Sequence, residues 1–64
     1  MKYTVNGESR ESGPITVTEL VTEVVGTADG VAVALNGDVV PRSAWERPIT
    51  EGDVVDVLTA VQGG

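Results

Sequence analysis

The 64-residue sequence contains no cysteine and no histidine. Without cysteine there is no disulfide, no thiolate nucleophile and no zinc–thiolate site, which fits a reducing compartment. Without histidine, the usual general base near neutral pH and the commonest metal ligand are also missing. Because Ser9, Ser12 and Ser43 have no histidine to activate them, we interpret them as loop and cap residues.

Long apolar runs and clustered basic residues are missing as well. No apolar run approaches the roughly 20 residues that span a bilayer. Residues 1–6 lack the apolar block of a secretion signal, so we expect a cytoplasmic protein that binds no membrane. Four scattered basic residues stand against ten acidic ones, giving a formal net charge of −6. Because nucleic acid needs a clustered basic surface, the charge favours a protein partner with a positive surface, or simply solubility.

Pairs of carboxylates are present, Glu19 with Glu23 and Glu51 with Asp53. Paired carboxylates perform acid–base catalysis only when their environments give them different pKa values. A helix face and a turn are poor places for such a difference. No glycine-rich phosphate loop precedes a helix. We therefore predict no catalytic residue, no metal site and no cofactor bound by the chain itself.

Short strands and tight turns make up most of the pattern. Asn6-Gly7 and Asn36-Gly37 are dipeptides preferred in two-residue hairpin turns, so they predict two hairpins. Alternating apolar side chains predict strands at residues 2–5, 31–35, 38–40 and 54–61. In the last of these, Val55 and Val57 are expected to point inward. Residues 8–12, which follow the first turn, are polar and charged and are predicted to form an exposed edge strand.

One helix is predicted between the two hairpins. Thr16 and Glu19 have the spacing of a capping box, and Ile15 with Leu20 that of a hydrophobic staple. Gly26 is expected to end the helix, because a left-handed residue is usually required there. An apolar stripe follows helical spacing: Val17, Leu20, Val21, Val24 and Val25.

A shorter helical turn is predicted after the second hairpin. Ser43 and Glu46 are placed to cap this turn, which includes Trp45, the only tryptophan. A lone tryptophan of this kind more often fills the edge of a small core than docks a partner. We therefore interpret Trp45 as a core residue, with partner docking as the alternative.

The element order strand, strand, helix, strand, strand, strand predicts the fold class. A single helix can cover only one face of a sheet. The simplest arrangement places the first and last strands parallel in the middle, where the strand-to-helix crossover can be right-handed. This arrangement is an α+β, ubiquitin-like β-grasp fold with a mixed sheet of four to five strands. We expect one domain over residues 1–64, with residues 61–64 as a flexible tail.

Two glycines occupy the end of the sequence, at Gly63 and Gly64. A tail without side chains is slim and can adopt nearly any backbone angle. Val61, Gln62 and Gly63 could therefore thread a partner's active site and present the carboxylate of Gly64 for activation as an acyl-adenylate. A frayed terminus or a cloning remnant is the alternative interpretation.

The second half of the chain resembles a known family. Residues 33–45 contain the pattern Asn-x-x-x-Val-Pro-Arg-x-x-Trp, and a Glu-Gly-Asp turn at 51–53 precedes the ending Thr-Ala-Val-Gln-Gly-Gly at 59–64. Together with the strand ending at Asn6 and the helix start at residues 16–20, these sequence motifs are similar to those of the thiamine-biosynthesis sulfur carrier family (ThiS). The resemblance runs through most of the chain.

The resemblance implies a mechanism that other proteins carry out. An E1-like adenylating enzyme (ThiF type) would use ATP to place AMP on the carboxylate of Gly64. A persulfide sulfur donor would then displace AMP and leave a thiocarboxylate, from which thiazole synthase (ThiG type) takes the sulfur. The carrier would be a cosubstrate and not an enzyme, and a monomer when free.

Docking residues and other functions are predicted less directly. The helix should leave one sheet face uncovered, where Leu58, with Val54 and Ala60, would point beside the tail and dock a partner. A sulfur carrier for molybdopterin or cysteine synthesis is one alternative, although such relatives are usually longer and lack the Val-Pro-Arg-x-x-Trp motif. A conjugated protein modifier or a plain β-grasp interaction module is another.

Overall fold

The computed structural model describes residues 1–27 and 29–59. Its elements are β1 (Lys2–Val5), β2 (Glu8–Glu11), α1 (Val17–Val24), β3 (Val31–Leu35), β4 (Asp38–Val40), a 3-10 turn (Arg42–Ala44) and β5 (Val54–Thr59). β1, β3 and β4 have their predicted bounds, while β2 ends one residue before the predicted Ser12. Ala60 and Val61, which were predicted to extend β5, lie outside the described residues, as do Gln62, Gly63 and Gly64.

Both hairpins turn at their Asn-Gly dipeptides. The φ angles are 51° and 83° at Asn6 and Gly7, and 52° and 88° at Asn36 and Gly37. Positive φ at both central positions is the type I′ geometry, whose twist matches that of the flanking strands. The turns therefore pair β1 with β2 and β3 with β4 in antiparallel register, as predicted.

The five strands form one mixed sheet in the order β2-β1-β5-β3-β4. β5 lies in the centre, parallel to β1 and antiparallel to β3. This confirms the predicted β-grasp arrangement, with the first and last strands parallel in the middle. Val55 and Val57 of β5 are buried, as predicted, because they point towards the helix.

Helix α1 begins with the predicted capping box. The Glu19 N–H donates to the Thr16 hydroxyl at 3.1 Å, and the Thr16 N–H donates to the Glu19 carboxylate at 2.9 Å. The buried stripe is shorter than predicted, because Val24 in the last turn is 36% exposed and Val25 packs at the core edge instead. Gly26 follows with a φ of 93°, as expected for a residue that ends a helix.

Trp45 is a core residue. Its ring is only 2% exposed, and the indole N–H donates to the Val40 carbonyl at 3.0 Å. The predicted capping by Ser43 is wrong, since the 3-10 turn begins after Pro41, whose fixed φ starts the turn without a side-chain cap. Glu46 does not cap this turn either: its carboxylate accepts a hydrogen bond from the Thr18 hydroxyl at 3.1 Å and so joins the segment to α1.

The core lies between α1 and the covered face of the sheet. Its members are all apolar or aromatic: Tyr3, Val5, Ile15, Val17, Leu20, Val21, Val33, Leu35, Val40, Trp45, Ile49, Val55 and Val57. Because β-branched valines are mediocre helix formers, burial of this set rather than helix propensity stabilises α1. The opposite face of the sheet has no helix in the described part of the chain.

Candidate functional site

The candidate site is the end of β5, from which the chain continues towards Gly64. β5 remains paired with β3 up to its last described residue, where Thr59 lies opposite Val31. On its other side, β5 pairs with β1 at Val54 and Val55. The strand that leads to the terminal glycines is therefore a central strand of the sheet and not a frayed edge.

The side chain of Asn6 extends the contact between β1 and β5. The Val57 N–H donates to Asn6 Oδ1 at 2.8 Å, and Asn6 Nδ2 donates to the Val57 carbonyl at 3.2 Å. Sequence reasoning identified Asn6 only as a turn residue and missed this role. The Asn-Gly signal is local, whereas these bonds depend on β5 lying beside the turn.

Leu58 and Val54 lie on the sheet face that α1 leaves uncovered. They are 66% and 47% exposed, and they alternate along β5 with the buried Val55 and Val57. Their predicted orientation is therefore confirmed, whereas docking by these residues stays a prediction. Ala60, the third predicted docking residue, lies outside the described residues.

Val39 belongs to the same exposed face and was missed by sequence reasoning. It is 78% exposed and lies opposite Ala34 of β3, which in turn lies opposite Asp56 of β5. Alternation with the buried Val40 could have revealed it. We call the exposed residues Val39, Val54 and Leu58, with Ala32, Ala34 and Asp56 between them, the outer sheet face.

Charge on the outer sheet face comes from Asp56, which is exposed between Val54 and Leu58 on β5. An apolar surface with one carboxylate in it matches a partner surface that is apolar and offers a basic group. Isolated exposed apolar residues are ordinary on monomeric proteins. Here two of them lie on the strand that leads to Gly64, which makes this face the best candidate for docking.

The Glu51 and Asp53 carboxylates have structural partners. Glu51 accepts the Lys2 backbone N–H at 3.0 Å. Asp53, only 8% exposed, accepts the Thr50 N–H at 2.7 Å and the Asn36 amide at 3.0 Å. Burial raises the pKa of Asp53, but these hydrogen bonds and the nearby Arg47 charge outweigh it, so the pKa is lowered. Both carboxylates thus hold the turn before β5 in place.

Residues 1–27 and 29–59 offer no other chemical centre. Within these ranges no three His, Cys, Asp or Glu side chains come together as metal ligands, and no pocket opens on the surface. Neither of the described helices is long and apolar enough to cross a bilayer. The serine hydroxyls have no histidine to activate them, because the sequence contains none.

Comparison with known proteins identifies the class. Residues 3–64 match the ThiS family. The chain is 38% identical to the sulfur carrier protein ThiS of Thermus thermophilus over 61 residues, which cover 94% of this chain and 95% of that protein. It is also 33% identical to a thiazole synthase of Paramagnetospirillum magneticum, of which the match covers all of this chain but only 20% of that protein.

Solved structures agree with these sequence matches. A crystal structure of the thiamine biosynthesis protein ThiS from Geobacter metallireducens superposes with a TM-score of 0.82 at 36% identity, covering 100% of both chains. A solution structure of a thiamine biosynthesis protein from the same organism gives a TM-score of 0.80 at 34% identity, with coverage of 100% and 88%. The fold and its C-terminal strand thus define a β-grasp carrier protein. The chain belongs to the ThiS family, the sulfur carriers of thiamine biosynthesis.

Proposed function

We propose that the carboxylate of Gly64 is the group that this sulfur carrier loads and unloads. In the first step, an E1-like adenylating enzyme of the ThiF type directs a carboxylate oxygen of Gly64 onto the α-phosphorus of ATP. Pyrophosphate leaves, and the carbonyl carbon becomes an activated acyl-adenylate. The partner enzyme, and not the carrier, binds the ATP. We infer that this adenylation takes place in the cytoplasm, where ATP is available.

In the second step, the terminal sulfur of a persulfide attacks the acyl carbon and AMP leaves. Breaking the sulfur–sulfur bond that remains requires two electrons, which a thiol supplies while it is oxidised. The product is the thiocarboxylate of Gly64. The carrier is a cosubstrate in this scheme, because it contributes only the carboxylate that is modified, and its partners supply the ATP site, the persulfide and the thiol.

In the third step, a thiazole synthase of the ThiG type accepts the sulfur. The support is the match between this chain and a segment of a thiazole synthase from Paramagnetospirillum magneticum. A carrier-like segment inside a synthase chain indicates that the two proteins act on each other. We therefore favour thiazole synthesis over the molybdopterin and cysteine pathways.

One observation carries the proposal: the ThiS match extends through Gly63 to Gly64. The described geometry agrees with this role, since β5, the last described element before these residues, is a central strand. A glycine tail can enter a narrow active site without steric conflict. We propose further that residues 1–64 act as one domain, of which residues 61–64 enter the partner's site.

The outer sheet face is the surface we propose for docking the adenylating enzyme. Leu58 is the most exposed apolar residue on the strand that leads to Gly64, with Val54 on the same face. Ala60 follows in the sequence and completes the predicted docking set. Docking here would bring the terminal carboxylate towards the enzyme's ATP site while the apolar side chains are buried against the partner.

Intact-mass spectrometry tests the proposal. The purified protein is incubated with ATP and the cognate adenylating enzyme, with and without a persulfide donor and a thiol. We expect a mass gain equal to AMP less water, and then a product in which sulfur replaces one oxygen. Both changes should be localised to Gly64 and disappear when Gly64 is deleted. An unchanged mass with an enzyme that is active on another carrier would refute the proposal.

A further inference from the structure

Asn6 lies where β1 turns away from β5. The two strands run parallel up to the pair of Val5 and Val55, after which the Asn6 backbone N–H donates to the Val55 carbonyl at 2.9 Å. The chain then enters the Asn6-Gly7 turn and leaves β5. To continue, the parallel ladder would need an acceptor for the Val57 N–H and a donor for the Val57 carbonyl.

The Asn6 side chain supplies both of these partners. Its Oδ1 accepts the Val57 N–H at 2.8 Å and its Nδ2 donates to the Val57 carbonyl at 3.2 Å. A primary amide can do this because it has an acceptor and a donor side by side. Val57 therefore stays paired on the β1 side although β1 has ended. The turn requires a positive φ at Asn6, but it does not require this pair of bonds.

We propose that Asn6 is a positioning residue for the transfer reaction, which sets the direction in which β5 leads to the terminal carboxylate. In the described part of the chain, Val57 is the last residue of β5 held from the β1 side. The remaining pairs of β5, at residues 58 and 59, are with β3 alone. The Asn6 amide is thus the last restraint on one side of the strand. This inference rests on the proposed function, because it concerns how Gly64 is presented.

Asn36 provides a matched control at the other end of the same strand. It also precedes a glycine in a type I′ turn, with a φ of 52° against 51° for Asn6. Its Oδ1 accepts the Val54 N–H at 2.8 Å, so its amide holds the start of β5 rather than the end. Because glycine adopts positive φ readily, Asn6→Gly and Asn36→Gly preserve the turns and each removes one amide from β5.

The experiment measures steady-state pyrophosphate release by the cognate adenylating enzyme with each carrier variant, at a temperature where circular dichroism shows all of them folded. Asn6→Gly should lower kcat about fivefold to tenfold, because a misdirected carboxylate reaches the ATP less often. KM should change less than about twofold, since the outer sheet face is intact. Asn36→Gly should leave both constants within about twofold of the unchanged carrier.

A conservative variant and a second readout complete the test. Asn6→Asp retains the acceptor for the Val57 N–H and loses the donor, so its kcat should lie between those of the unchanged carrier and Asn6→Gly. Hydrogen exchange on the free carrier requires no enzyme. Asn6→Gly should speed exchange at the amide of Val57, whose acceptor is removed, whereas Asn36→Gly should speed exchange at Val54.

Several results would overturn the inference without affecting the proposed function. One such result is an equal kcat for Asn6→Gly and Asn36→Gly. Another is a kcat that neither Asn6→Asp nor Asn6→Gly changes. A third is a change in KM instead of kcat for Asn6→Gly. Unchanged exchange at Val57 in Asn6→Gly would also overturn it, whether or not the enzyme acts. By contrast, absence of pyrophosphate release with the unchanged carrier would refute the proposed function.

Discussion

The side-chain amide of Asn36 donates a hydrogen bond to the carboxylate of Asp53 at 3.0 Å, joining the β3–β4 hairpin to the turn before β5. Asp53 also accepts the Thr50 N–H at 2.7 Å. Burial works against the charged carboxylate, but the hydrogen bonds outweigh burial, so the pKa of Asp53 is lowered in the folded protein. The stability of the fold should therefore depend on the ionisation of this group.

Asp53→Asn should lower the free energy of unfolding by about 1.5–3 kcal/mol at neutral pH, since hydrogen bonds to a charged acceptor are lost. The folded pKa lies below the unfolded value of about 3.9. The stabilisation is therefore complete above about pH 4 and is lost as the pH falls through the folded pKa. Urea unfolding at a series of pH values should show the two proteins converging below about pH 4.

Asp56→Asn is the control for this titration. Asp56 is exposed on β5, so its substitution should change the free energy of unfolding by no more than about 0.5 kcal/mol. A difference between the unchanged protein and Asp53→Asn that stays constant down to about pH 2 would contradict the prediction, because the carboxylate would then not be the stabilising form.

The capping box of α1 gives a second prediction. Thr16→Ala removes the acceptor of the Glu19 N–H and should lower the free energy of unfolding by about 1 kcal/mol. Thr16→Ser keeps a hydroxyl at the same position and should retain most of this stability. Denaturant midpoints at equal m-value measure the difference. Equal losses for the two variants would show that the methyl group, and not the cap, stabilises the helix start.

These two features differ in how far the sequence predicts them. The capping box depends on residues three apart, so the sequence pattern was sufficient to predict Thr16 and Glu19. The φ of Asn36 was equally local, because Asn-Gly favours a type I′ turn. Its bond to Asp53 was not predicted, since it requires two segments remote in sequence to meet at one end of the sheet.

The surroundings of Trp45 lead to a third prediction. The indole N–H donates to the buried Val40 carbonyl, which Trp45→Phe would leave without that donor. The substitution should lower the free energy of unfolding by about 1–3 kcal/mol. In the unchanged protein the fluorescence of this single tryptophan should shift to longer wavelength on unfolding, because the ring leaves a buried site.

Arg42 provides the comparison for Trp45. Its guanidinium lies 4.8 Å from the centre of the indole ring, on the exposed side. Arg42→Ala should therefore cost only about 0.5–1 kcal/mol, the strength of an exposed cation–π contact. If Arg42→Ala destabilises the protein more than Trp45→Phe, the stacked arginine and not the indole hydrogen bond is the more important of the two contacts.

The candidate site was predictable in part. Alternation along β5 was sufficient to place Leu58 and Val54 on the uncovered face, because side-chain direction in a strand follows period two. The hydrogen bonds between the Asn6 side chain and Val57 were not predictable from the Asn-Gly dipeptide. In the same dipeptide at residues 36–37, the asparagine side chain accepts the N–H of Val54, at the other end of β5. Which partner uses the outer sheet face depends on a second protein, so neither the sequence nor the fold contains that information.

Leu58→Asp tests docking on the outer sheet face. If Leu58 is buried against the adenylating enzyme, its loss removes about 1.5–3 kcal/mol of binding. KM for the carrier should then rise at least about tenfold, with kcat within about twofold, because the direction of the tail is unchanged. This is the opposite split from the one expected for Asn6→Gly, so the two residues are distinguished within one assay.

Val39→Asp is the control for charge on the same face. Val39 is the more exposed of the two residues, but it lies on β4, at the sheet edge and two strands from β5. Contacts at the rim of an interface contribute little, so KM should rise about threefold or less. An equal rise for both variants would mean that added negative charge anywhere on this face repels the enzyme. An unchanged KM for Leu58→Asp would mean that docking uses another surface, and that the exposure of Leu58 has no part in recognition.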